Sequence, residues 1–96
     1  MSKLGKFAKD AQDTKRYIVD YRDWLDIDEQ ITTVTVVAEV NLDGFIVESS
    51  SVEATEARTI IYYVSGGIES RSYNVTVTVA TNLSQIKEDQ VIHQIT

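Results

Sequence analysis

The chain has no cysteine and no proline, only four glycines, and a single tryptophan and histidine among its 96 residues. Without cysteine, neither a disulfide nor a thiolate metal site can supplement the core, and nothing points to an oxidising compartment. Without proline, the turns must be written in Asn, Asp, Ser and Gly. No apolar run approaches the roughly 20 residues of a membrane span. The opening "MSKLGKFAKD" carries lysines but lacks the apolar stretch of a signal peptide. The expectation is a soluble, unsecreted protein that does not engage a membrane.

Recognised catalytic patterns are missing as well. His93 is the lone histidine, placed between Val91 and Ile95 with no serine, cysteine or carboxylate in a motif spacing, so it reads as a satisfied, partly buried side chain rather than a base. Gly66 and Gly67 are the only paired glycines, and they stand between two strand-like segments, where their use is to supply positive φ. Asp20, Asp23, Asp26, Asp28 and Glu29 are the one carboxylate cluster that could hold an ion. The spacing is not that of an EF-hand, and a solvated acidic loop is the simpler reading. No catalytic, cofactor-binding or metal-binding residue is assigned, and the expectation is a binding or structural module rather than an enzyme.

Charge is divided unevenly. Residues 1–16 hold Lys3, Lys6, Lys9, Lys15 and Arg16 against Asp10 and Asp13, a net +3, which leaves −9 for the remainder of a chain whose total is −6. Such an arm suits an acidic neighbouring surface, including another copy of the same body, with a solvated, disordered terminus as the equal alternative; Lys3, Lys6, Phe7, Lys9 and Asp10 are the candidate partner-binding residues. Nucleic acid is disfavoured, since the acidic body would repel phosphate.

What is abundant is Val, Ile, Thr and Tyr, in short segments between "NLDG", "ESSS", "SGG" and "TNLS". In residues 72–81, Tyr73, Val75, Val77 and Val79 share one face while Asn74, Thr76 and Thr78 share the other. Val34, Val36, Ala38 and Val40 alternate in the same way with Thr33, Thr35, Val37 and Glu39. "RTIIYYV" is apolar on both faces, as in a central strand or one covered by a partner. "GFIVES" supplies a short strand, and the tail places Val91, His93 and Ile95 on one side. In "KRYIVDYRDWL", Tyr17, Val19 and Tyr21 face one way and Ile18, Asp20 and Arg22 the other, with Trp24 capping the core as the strand ends.

Six or seven short strands in about 80 residues imply an all-β, immunoglobulin-like two-sheet antiparallel sandwich over residues 15–96, preceded by an extended arm over residues 1–14. One domain of this size buries about two thirds of its unfolded surface, so its stability is modest. Tyr73, just after a loop, is placed to be the tyrosine corner of that fold.

The series "KDAQDTKRYIVDYRDWL", "YYVSGGIESRSYNVTVTVATN" and a closing strand resembles a family of small virion proteins from tailed bacteriophages, described as fibre-tail adaptors. Lys9 and Asp10 match its first motif. Tyr17, Asp20, Trp24 and Leu25 match the second, and Ser65, Gly66, Gly67 and Tyr73 the third. The chain departs from the pattern at Ala11, where the family has proline, at Tyr21, where it has tryptophan, and in "TNLSQ", which lacks the glycine usual in the last hairpin turn. The resemblance implies a non-enzymatic virion protein, made in the bacterial host cytoplasm and present in several mutually contacting copies that bind tail, fibre or capsid proteins. Capsid decoration is the alternative position, and a carbohydrate-binding module using Trp24, Tyr62 or Tyr63 for stacking is the alternative from another class.

Overall fold

The computed structural model describes residues 2–9, as backbone, together with 14–53 and 57–95. The strands are β1 Ser2–Lys9, β2 Lys15–Asp20, β3 Ile31–Ala38, β4 Ile46–Val52, β5 Thr59–Ser65, β6 Ser72–Thr81 and β7 Ile86–Ile95. One sheet has the order β1-β7-β6-β3 and the other β2-β5-β4. Within each sheet the pairings are antiparallel, except that β1 runs parallel to β7 along its edge. Two three-stranded antiparallel sheets therefore pack as the expected sandwich, with β1 extending one of them. The last six strands follow the BED and CFG arrangement of an immunoglobulin-type sandwich, while the first lies beside the last strand instead of beside β2.

Period-two patterning explains the layers. Val75, Val77 and Val79 of β6 are fully buried, as are Val91 and His93 of β7 and Ile60, Tyr62 and Val64 of β5. Each buried valine or isoleucine contributes about 1.5–3 kcal/mol relative to an exposed one. Tyr17 and Val19 complete the opposing sheet's inner face. Tyr17 joins the two layers, stacking on Tyr62 with ring centroids 5.7 Å apart and meeting His93 edge-on at 4.5 Å.

"RTIIYYV" is apolar on both faces because β5 is the central strand of its sheet. Its outer residues are less covered: Tyr63 is exposed, Ile61 half-buried, and Ile18, opposite Ile61 on β2, is exposed.

One alternation fails. Val36 is buried and Val34 and Ala38 pack against the core, but Val40, expected on the same face, is fully exposed. β3 stops at Ala38, and Asn41 then fixes a turn. Its side-chain NH₂ donates to the Glu39 and Phe45 carbonyls while its Oδ1 accepts from the Asp43 and Phe45 amides. A side chain that satisfies so many backbone groups competes with continuing the strand. No described helix is long and apolar enough to cross a membrane.

Candidate functional site

The strand directions give the sandwich two ends. β2, β6 and β4 finish at one, which carries Trp24 and the turns 21–30 and 82–85; β3, β5 and β7 finish at the other, which carries Tyr73 and the turns 39–45 and 66–71.

Of the candidate partner-binding residues, Lys3, Lys6, Phe7 and Lys9 lie on β1, in register with Gln90, Ile92, His93 and Ile95 of β7 respectively. Asp10 lies outside the described residues. β1 brings no residue of the second sheet into register; its hydrogen-bonded neighbour is β7. A basic segment thus lies along the edge of a strand that carries Glu88 and Asp89 near its start.

The stretch 15–25 is architecture at the Trp24 end. After Asp20 the backbone folds into a tight turn in which the Trp24 and Leu25 amides both donate to the Tyr21 carbonyl at 3.0 Å. Tyr21 and Leu25 point into the core, and Trp24 packs partly buried against it, edge-on to Tyr21 at 6.1 Å. The Lys87 ammonium sits 5.4 Å from the centre of the indole and 3.4 Å from Asp89. Asp89 is fully buried and accepts a 3.0 Å hydrogen bond from the Tyr21 hydroxyl. Burial and the Asp89 charge together push the Tyr21 phenol far above its ordinary value. Asp20 faces solvent, where two guanidinium nitrogens of Arg22 donate to it at 2.7–3.0 Å and hold its carboxyl below the usual carboxylate value.

The acidic loop is not wholly solvated, which corrects the sequence reading. Glu29 is 1% exposed. Its Oε1 accepts from the Asp26 amide at 2.9 Å and its Oε2 accepts from the Thr81 hydroxyl, while Arg58 donates to the Asp26 and Glu29 carbonyls. These bonds replace the water that a buried carboxylate would otherwise lose. Gln30 and Asn82 clasp the loop to the β6–β7 turn, each amide donating to the other residue at 3.0 Å. Among the described residues, no group of three His, Asp or Glu side chains converges as metal ligands would.

At the opposite end, Tyr73 makes the expected corner: its hydroxyl accepts from the Ile68 amide at 3.0 Å and donates to Asp43 at 2.7 Å. Gly66 and Gly67 take φ of +81° and +99°. A Cβ on Gly66 would lie 1.9 Å from the Gly44 carbonyl oxygen, and one on Gly67 would press on Ile95 and Tyr73. Phe45 stacks on Tyr73 at 4.6 Å, closing the core. A groove of about 380 Å³, lined by residues 36–41 and 45–47, opens beside this turn. Val37, Val40, Leu42 and Ile46 are exposed on and around it.

His93 is completely buried rather than partly so, and shares a 2.8 Å hydrogen bond through Nε2 with the Tyr62 hydroxyl. Burial holds the Tyr62 phenol well above its usual value. The pair links the inner faces of β5 and β7 through a hydrogen bond in the core. Of the aromatics a sugar platform would use, Tyr62 is buried and Trp24 is packed beneath Lys87, leaving Tyr63 at the surface. Sequence reading missed Asp89 and Lys87. Extending the Val91, His93, Ile95 alternation back by one step would have placed Asp89 in the core.

No curated protein matches this chain. Residues 9–94, however, match the family described as "Podophage GP4 fiber-tail adaptor protein gp77". That span runs from the end of β1 to the penultimate residue of β7 and takes in the Trp24 turn, the paired glycines and the tyrosine corner. The chain therefore belongs to the podophage fiber-tail adaptor family, as a β-sandwich component of the phage tail.

Proposed function

We propose that this chain is a non-enzymatic adaptor that sits on the podophage tail in several mutually contacting copies and holds the fibre or spike proteins there. The family match across residues 9–94 is the observation that carries this reading. The surface is compatible with it. Exposed apolar side chains gather at both ends, Ile27, Leu83 and Ile86 at one and Val40 and Leu42 at the other, and such groups suit protein contacts at two separate faces. Lys3, Lys6, Phe7, Lys9 and Asp10 are the residues we assign to contacts with neighbouring copies, on the strength of the charge contrast between segment and body.

Cryo-electron microscopy of the particle tests the proposal. Copies arranged as a ring or cluster between tail and fibre are the expected result. A lattice of copies over the capsid would replace the adaptor by a decoration protein, and a particle lacking the chain would overturn both.

A further inference from the structure

We propose that β1 is exchanged between copies: in the assembled adaptor, residues 2–9 of one chain pair with β7 of its neighbour in the register seen within a single chain. The proposal rests on the multi-copy adaptor reading above.

β7 is the outer strand of the antiparallel β7-β6-β3 sheet, and from Asp89 to Ile95 its free edge is the seat of β1. Val91, His93 and Ile95 on this strand are at most 1% exposed. An open edge over a buried row attracts a strand, and the hydrogen bonds that satisfy it are the same whichever chain supplies them. β1 can be supplied from outside, because it pairs with β7 alone and makes no ladder with β2, the next strand of its own chain. Only residues 10–14 connect the two.

Charge admits a second copy as the occupant. The segment through residue 16 is +3 and the rest of the chain −9, so a second copy presents the complementary surface. When copies stand side by side, proximity raises the effective concentration of a neighbour's β1 at this edge. Exchange then sacrifices no backbone pairing and ties each sandwich to the next.

The chain has no cysteine, so paired cysteines can report the arrangement without background. Ala8 pairs with Gln94 in the β1–β7 register, and Gln94 is exposed. Partnered Cα atoms in adjacent strands lie within the separation a disulfide spans. Particles carrying the double variant A8C/Q94C are oxidised and run on a non-reducing gel. Exchange yields a ladder of covalent multimers; a single band at chain mass with an internal bridge, or no bridge at all, overturns the proposal. As a second measurement, A8C and Q94C single variants are co-expressed during phage assembly and the purified particles oxidised. Heterodimers joined through these two cysteines are expected, at least tenfold above those formed when the cysteine is at Ser49 instead of Ala8. Equal yields would contradict exchange. A reducing gel of the same particles shows whether the chain is on the virion, so failure of the adaptor reading is scored separately.

Discussion

The hydroxyl of Tyr21 donates to the carboxylate of Asp89 across 68 residues of sequence, joining the turn after β2 to the inner face of β7. Asp89 stands level with Val77 of β6 and through it with Val36 of β3, so a carboxylate ends an otherwise apolar row across these three strands. Lys87, two residues earlier on the same face, supplies the opposite charge at 3.4 Å.

Tyr21→Phe removes one donor from this buried carboxylate and is expected to lower stability by about 1–3 kcal/mol. Asp89→Ala should cost more, because it also strips Lys87 of its partner and leaves a cavity. Urea unfolding of the two single variants and the double variant gives the coupling. A coupling near zero would mean that the hydrogen bond does not stabilise the fold.

Gly66→Ala should lose about 2–4 kcal/mol, from the positive φ together with a Cβ driven into the Gly44 carbonyl. Backbone, unlike a flexible side chain, cannot step aside. Thermal unfolding unchanged from the parent would refute this account of the turn.

Ser84→Gly should stabilise the protein by about 0.5–1 kcal/mol. Ser84 sits at φ +62° in the β6–β7 turn, the conformation glycine adopts without steric cost. Part of the gain is offset by the greater freedom of glycine in the unfolded chain. A lower unfolding midpoint would show that the serine side chain, and not its backbone strain, governs the turn.

Alkali should unfold the protein through its buried phenols. Tyr21 and Tyr62 have folded values raised above the ordinary 10.0, the first by burial and the Asp89 charge, the second chiefly by burial. The folded state therefore retains these protons after the unfolded chain has lost them. Their contribution is fully present below about pH 10 and falls above it by about 1.4 kcal/mol per pH unit for each phenol. Urea midpoints followed from neutral to strongly alkaline pH should drop more gently in Tyr62→Phe than in the parent. An identical slope would exclude Tyr62 as a contributor.

Deleting residues 1–14 should leave the sandwich folded, since the buried row from Tyr17 to Ile95 lies outside the deletion. Assembly should weaken, as read by sedimentation or by incorporation into tails. A deletion product without cooperative unfolding would show that β1 is required for the fold itself.

The sheets were legible in the sequence wherever a strand buries one face and wets the other. Tyr73 to Val79 and Val91 to Ile95 are in the core as their alternation requires. Tyr21 was legible as a strand-face aromatic, but its hydroxyl's service to the buried Asp89 carboxylate was not. Other features depend on contacts that no local pattern encodes. Glu29 looks like one more carboxylate of a polar loop until Thr81, from a distant turn, reaches its oxygen. Val40 continues an alternation that the Asn41 turn has already ended. The parallel course of β1 is equally hidden, because period-two patterning says which face is buried but not which strand lies alongside or in which direction.

That parallel course also gives the molecule a compass. Ser2 stands beside Asp89 and Lys9 beside Ile95, so the two ends of β1 mark opposite poles of the sandwich, about 20 Å apart. A tag attached near residue 2 and another near residue 95 would emerge from different poles. Seen on a tail by low-resolution imaging, the pair would report which pole each adaptor turns toward the fibre.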